Sequence, residues 1–407
     1  MRLALLALLG LALASCDAAG ADAPTEPVTI DISPEARALI GQSNDFGLRL
    51  FAETAGEGNL MLSPLSASVA LTMLLNGADG ATYDQIHTML GYAPGQDLPA
   101  INASYQSLRS QLLAADPQVQ FTLANAVFYR DTFGPAIQAP FLDAMRTAFD
   151  ARVGALDFGS PSALEAINGW ASASTNGKIP EVLDEISPEL VMLLMNALYF
   201  KGSWSTEFDE AQTATGAFEL AGGTTVDVPM MSGMVEARLA SGEGWRAAEL
   251  PYGRRNFSFV AIVPDAPLGD AVGELAAGLW ADVARQLDGP TGEAETWTEA
   301  EVRMPRFTFE TDAGLNEPLQ TLGMVDAFDG RADLSRIAPG LKVDFVKQNT
   351  FVDVNEEGTE AAAVTTIGID LTSAGPSFAA DRPFVFAIRE RTTDTLLFIG
   401  QVADPRE

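Results

Sequence analysis

The chain runs to 407 residues, 47% of them hydrophobic, which is enough for a large buried core, and no composition break after residue 40 divides it. Its 24 basic and 55 acidic side chains give a formal net charge of −31, repelling nucleic acid and anionic membrane surfaces alike. One cysteine, Cys16, and one histidine, His87, exclude a Cys/His zinc cluster and an intrachain disulfide, and leave a Ser-His-Asp hydrolase a single candidate base. His87 lies in YDQIHTML, a helix-like stretch with no nucleophile elbow, and neither GxxxxGK[ST] nor GxGxxG occurs. The sequence therefore argues against an enzyme, and no cofactor or metal is expected.

Residues 1–15 carry Arg2, an apolar run over 3–13, and then small side chains. That is the pattern of a secretory signal, too short to stay behind as a membrane span. Leu13-Ala14-Ser15-Cys16 resembles the bacterial lipobox, in which lipid is attached to the cysteine and the chain is cut before it. The expectation is an exported protein held to a bacterial membrane, on its periplasmic or cell-surface face, only through a lipid on Cys16. Residues 16–33 are small, acidic and Pro-containing and read as a flexible tether; about 17 extended residues reach roughly 55 Å. Residues 34–407 read as a single domain.

Within that domain, Asn59-Leu60-Met61-Leu62-Ser63-Pro64-Leu65-Ser66 reads as the entry to a buried helix. Ser63 and Ser66 flank Pro64, where hydroxyls can cap free N–H groups. Gly77-Ala78-Asp79-Gly80-Ala81-Thr82, followed by Gln85-Ile86, reads as a turn, and Thr175-Asn176-Gly177-Lys178-Ile179 is a further motif. Met195-Asn196-Ala197-Leu198-Tyr199-Phe200-Lys201-Gly202-Ser203-Trp204 then leads to Phe208. Further on come Val228-Pro229-Met230-Met231, Glu249-Leu250-Pro251-Tyr252, Asp381-Arg382-Pro383-Phe384-Val385-Phe386 and Phe398-Ile399-Gly400.

The most informative stretch is 356–372, EEGTEAAAVTTIGIDLT, which reads as a loop competent to become a strand. With alternate side chains on one face, Thr359, Ala361, Ala363, Thr365, Ile367 and Ile369 point inward. Glu360, Ala362, Val364, Thr366, Gly368 and Asp370 point outward, so both carboxylates fall outside. Small inward residues suit a strand that slides between two others. Glu356-Glu357-Gly358 before it and Ser373-Ala374-Gly375-Pro376 after it are loop signals.

Together and in this order, these motifs resemble the serpin family over residues 34–404. The resemblance implies an α+β fold, about nine helices packed on three β-sheets with an exposed reactive-centre loop. It implies a monomeric suicide inhibitor whose partner is a serine protease, trapped as a covalent acyl complex. Family spacing from Glu356 places the scissile bond between Thr372 and Ser373, which suits an elastase-like pocket. A one-residue slip to Leu371 suits chymotrypsin- or subtilisin-like enzymes, and no Arg or Lys lies in 357–381 to attract trypsin-like ones. The hinge would be Glu356, Gly358, Thr359, Glu360, Ala361, Ala362 and Ala363. The sheet-opening region would comprise Ser63, Ser66, Asn196, Trp204, Gln348 and Arg306, with Trp204 as an apolar lid where the loop enters. Gln348 stands where the family often has a histidine, and Arg306 where it often has a basic partner for Glu356. That pair is expected to be solvent-exposed and worth on the order of 0–1 kcal/mol. Alternatives are inhibition of papain-like cysteine proteases, or a non-inhibitory surface binding protein on the same fold.

Overall fold

The computed structural model describes residues 27–289, 297–360 and 375–407. The chain enters through a segment that caps its own first helix. The Ser33 hydroxyl accepts from the Ala36 N–H at 3.2 Å, and Pro34 occupies the first helical turn of α1 (Pro34–Thr54). Upstream, Ile30 is buried, and the Val28 N–H and C=O both bond the side chain of Asn256, at 2.7 and 2.8 Å. The last part of the stretch read as a tether is thus docked on the body.

The elements that follow are β1 (Leu60–Leu62), α2 (Pro64–Leu75), α3 (Gly80–Met89), α4 (Leu98–Leu112), β2 (Val119–Arg130), α5 (Ala139–Ala148), β3 (Arg152–Leu156) and α6 (Pro161–Ser174). Next are β4 (Met192–Ser203), β5 (Ala214–Glu219), β6 (Thr225–Gly242), β7 (Trp245–Tyr252), β8 (Phe257–Pro264), α7 (Leu268–Glu274) and α8 (Trp280–Asp288). The chain closes with β9 (Thr298–Pro305), β10 (Phe307–Gly314), α9 (Asn316–Thr321), β11 (Lys347–Asn355), β12 (Gly358–Thr359), β13 (Ser377–Ala379), β14 (Phe384–Glu390) and β15 (Thr395–Val402). The described residues thus hold nine α-helices on three sheets, the architecture the motifs implied.

The first sheet has the order β10-β11-β12-β4-β2-β3. The second runs β1-β15-β14-β8-β7 and ends on the C-terminal part of β6; the third pairs the rest of β6 with β5 and β9, and β9 with β13. One strand serves two sheets: β6 pairs β9 through Ala237 and β7 from Arg238 onward. α2 is apolar nearly all round, as a helix threading the core must be, and packs beside β4 and β15. β8, β14 and β15 are buried on both faces, which is why they read as mainly apolar runs.

That core also encloses an ion cluster. Arg389 is fully buried and donates to Glu249 at 2.9 Å, Asp288 at 2.6 Å and Asp394 at 3.0 Å. Burial alone would raise the Glu249 carboxyl, but the guanidiniums of Arg389, Arg391 and Arg238 outweigh it and hold the group at about 2.

Candidate functional site

The site is the lane between β4 and β11. Ladder hydrogen bonds join β11 to β10 and β4 to β2, but among the described residues no ladder joins β4 to β11 directly. Only β12 bridges them: Gly358 pairs with Ser203 and Asn355, and Thr359 with Gly202 and Val354. Below it, among the described residues, a cavity of about 520 Å³ is lined by Ser66, Leu71, Trp170, Asn196, Ile337 and Gln348, among others.

The mouth of the lane is aromatic. Trp204 is buried and stacks on Tyr252, ring centroids 4.5 Å apart at 11°, while its Nε1–H donates to the Asn355 carbonyl at 2.9 Å. The Trp204 N–H donates to the Glu357 carbonyl at 2.9 Å, and the Phe208 N–H to the Glu356 carbonyl at 2.8 Å. The Tyr252 and Thr359 hydroxyls bond one another, so Thr359 does point inward. Burial pushes the Tyr252 hydroxyl far above the phenol range. Gly358 has φ +151°, and a Cβ there would lie 2.1 Å from the Gly202 carbonyl oxygen; the slot admits only glycine.

Two expectations about charge need correction. Glu356 is 2% exposed rather than solvated. Its carboxylate accepts from the Thr213 hydroxyl at 2.6 Å and lies 3.4 Å from the half-exposed Arg306 guanidinium. A loop from a distant part of the chain, holding Thr213, supplies that cover. Glu360 does face away from Thr359, but not into water: the turn after α6 covers it, and its side chain is 5% exposed, 3.8 Å from the Lys178 ammonium.

Deeper in the lane a polar seam links strands and helix. The Ser63 hydroxyl caps α2 by accepting from the Ser66 N–H at 3.1 Å. The Ser63 N–H donates to Gln348 Oε1 at 2.7 Å, and Gln348 Nε2 donates back to the Ser63 carbonyl at 3.2 Å. The neutral amide thus both donates and accepts. Asn196 Nδ2 donates to Asn125 Oδ1 at 2.6 Å, and Asn125 in turn to the Phe149 carbonyl at 2.8 Å. Ala361, Ala362, Ala363, Leu371, Thr372, Ser373 and Cys16 lie outside the described residues. Sequence reasoning missed Tyr252, Tyr199, Asn125 and Thr213 as members of the site. The first two sit inside motifs it had marked, whereas nothing marked Asn125 or Thr213.

Residues 41–405 match the model of the family described as serpin (serine protease inhibitor). The chain is a serpin. Its sequence is 34% identical over 373 residues to Iripin-1 of Ixodes ricinus, covering 88% of this chain and 93% of the relative. It is 32% identical over 386 residues to the leukocyte elastase inhibitor of Sus scrofa, covering 90% and 99%. The native-state structure of the thermophilic serpin tengpin superposes with TM-score 0.78 at 27% identity, covering 93% of this chain and all of that one. Serpins as a family act as protease inhibitors through covalent complexes with their targets and are not catalysts. In this serpin the first two residues of the loop strand already occupy the sheet.

Proposed function

We propose that this serpin inhibits serine proteases by loop cleavage and strand insertion, with Thr372–Ser373 as the scissile bond. The observation that carries the reading is the lane: two strands without a mutual ladder among the described residues, a cavity beside them, and Gly358 and Thr359 seated at its mouth. The protease serine Oγ attacks the Thr372 carbonyl carbon, and the bond to Ser373 breaks. The Ser373 nitrogen leaves protonated as a new N-terminus, and Thr372 remains esterified to the protease. The freed segment then continues β12 down the lane and drags the ester with it, distorting the protease before water can deacylate it. Loop insertion of this kind is an established strain-releasing switch. About a dozen new backbone hydrogen bonds at roughly 1 kcal/mol each give a drive on the order of 10 kcal/mol.

Thr372 suits an elastase-like protease; if Leu371 precedes the bond, a chymotrypsin- or subtilisin-like one. The full chain is mixed with elastase, run under denaturing conditions, and the released peptide sequenced. A stable complex with a new N-terminus at Ser373 is expected; clean cleavage without complex overturns the inhibitory reading. Anchoring through a lipid on Cys16 to a bacterial membrane belongs to the same proposal. Labelled palmitate should enter the wild type and not Cys16→Ser, and equal labelling of the two would refute it.

A further inference from the structure

β12 ends abruptly. At Glu360 the backbone takes φ +59°, a left-handed value that no ladder residue adopts, although its N–H still donates to the Asp353 carbonyl at 3.0 Å. Two side chains face the residue in this turned-out state. Its carboxylate lies 3.8 Å from Lys178 Nζ in the turn after α6, and Tyr199 of β4 lines the same small cavity beside it. Lys178 Nζ also sits 4.3 Å over the Phe351 ring of β11, so one ammonium touches the β11 wall of the lane and the loop beside it. Asn176, two residues before Lys178, donates to the Tyr199 hydroxyl at 3.2 Å and fixes the turn to the same cluster. A cavity of about 20 Å³, room for one water, lies among Lys178, Tyr199, Phe351 and Glu360.

We propose that Lys178 is a positioning residue for inhibition: with Tyr199 it clasps Glu360, arrests the loop after its second inserted residue, and must let go before insertion can proceed. The inference rests on the insertion reading above. To extend β12, residue 360 must rotate from the left-handed region into the β region, which breaks the present geometry of its carboxylate against Lys178. Gly358 and Thr359 keep their own ladder bonds and the Tyr252 hydroxyl whatever Glu360 does. Loosening the clasp therefore leaves the loop seated and lowers only the barrier to the next step. Burial raises the Glu360 carboxyl, and nearby Asp353 adds to this; Tyr199, then Lys178 and Lys201, oppose it without cancelling it.

The test measures how fast the intact full chain converts to an inserted, urea-resistant form below its melting temperature, and how many molecules one elastase molecule consumes. Lys178→Met keeps the stem over Phe351 and removes the charge, and Glu360→Gln removes the partner. Each should convert about fivefold faster, a difference near 1 kcal/mol by the tenfold-per-1.36 relation. The double variant should be no faster than either single one, and Lys178→Arg should restore the wild-type rate. Wild-type rates in both single variants, or additive effects in the double one, overturn the clasp while leaving insertion standing. A wild type that neither converts nor forms a complex overturns the insertion reading and the clasp with it.

Discussion

Gly358→Ala tests whether the seat at the mouth of the lane governs trapping. The added Cβ would stand 2.1 Å from the Gly202 oxygen and 2.8 Å from the Ser203 Cα. Both are backbone atoms of a strand pinned by its ladder to β2, so neither can give way. The φ of +151° adds strain of about 1–3 kcal/mol for an L-residue. If the short strand leaves its seat, its ladder bonds and the Thr359 hydroxyl bond to Tyr252 go too, at about 1 kcal/mol each. Together these disfavour insertion by about 3–5 kcal/mol, or about 10²–10⁴ in rate. Deacylation should then outrun trapping, and the number of inhibitor molecules consumed per elastase should rise at least about tenfold. The assay is titration of residual elastase activity, with denaturing gels to separate complex from cleaved inhibitor. An unchanged stoichiometry at wild-type thermal stability would refute the reasoning, because the seat would then play no part in the trap.

Arg306→Ala leaves the buried Glu356 carboxylate with Thr213 as its remaining side-chain partner and should cost about 1–3 kcal/mol in urea unfolding. A cost below about 0.5 kcal/mol would mean the pair is no better than a surface one. Asn256→Ala removes both bonds to Val28, and hydrogen exchange at the Val28 amide should rise to the rate of free chain. Retained protection there would show that Ile30 alone holds the segment. Glu249 sets an acid limit. A carboxyl held below its ordinary value contributes stability that is full above that value and is lost as pH falls through the lowered one. With the group at about 2, stability on the order of 3 kcal/mol should disappear between about pH 4.5 and 2. Glu249→Gln should flatten that decline, and an equally steep one would place its origin elsewhere.

Much of the lane was legible because its parts are local. Ser63, Pro64 and Ser66 announce a capped helix within four residues, and alternation alone put Thr359 and Glu360 on opposite faces. Arg306 and Gln348 were placed by motif, and their contacts with Glu356 and Ser63 follow. What could not be read depends on chain brought from far away. A glutamate in a turn signal gives no hint that Thr213 will cover it, and the burial of Glu360 needs the turn that carries Lys178. The docking of Val28 rests on the fully buried Asn256, which a small acidic segment does not foretell. Nor does the sequence of β6 say that one strand will serve two sheets, since the same alternation describes either.

The chemistry of the lane fits a sheet that must open without being unstable. An apolar seam between β4 and β11 would close by burial and resist parting, and on parting it would leave a dry cavity with its full penalty. Here the largely apolar walls are interrupted by amides: Gln348 against the Ser63 backbone, and Asn196 against Asn125. Such groups exchange one partner for another at little net cost. Asn196 goes further, because its Oδ1 is buried and accepts no hydrogen bond among the described residues. An unsatisfied buried acceptor costs about 1–3 kcal/mol, so any strand that brings an N–H to it recovers that amount on arrival. On the insertion reading, this residue raises the energy of the waiting state and lowers that of the filled one. Asn196→Leu would erase the difference, and should slow insertion while leaving the protein folded.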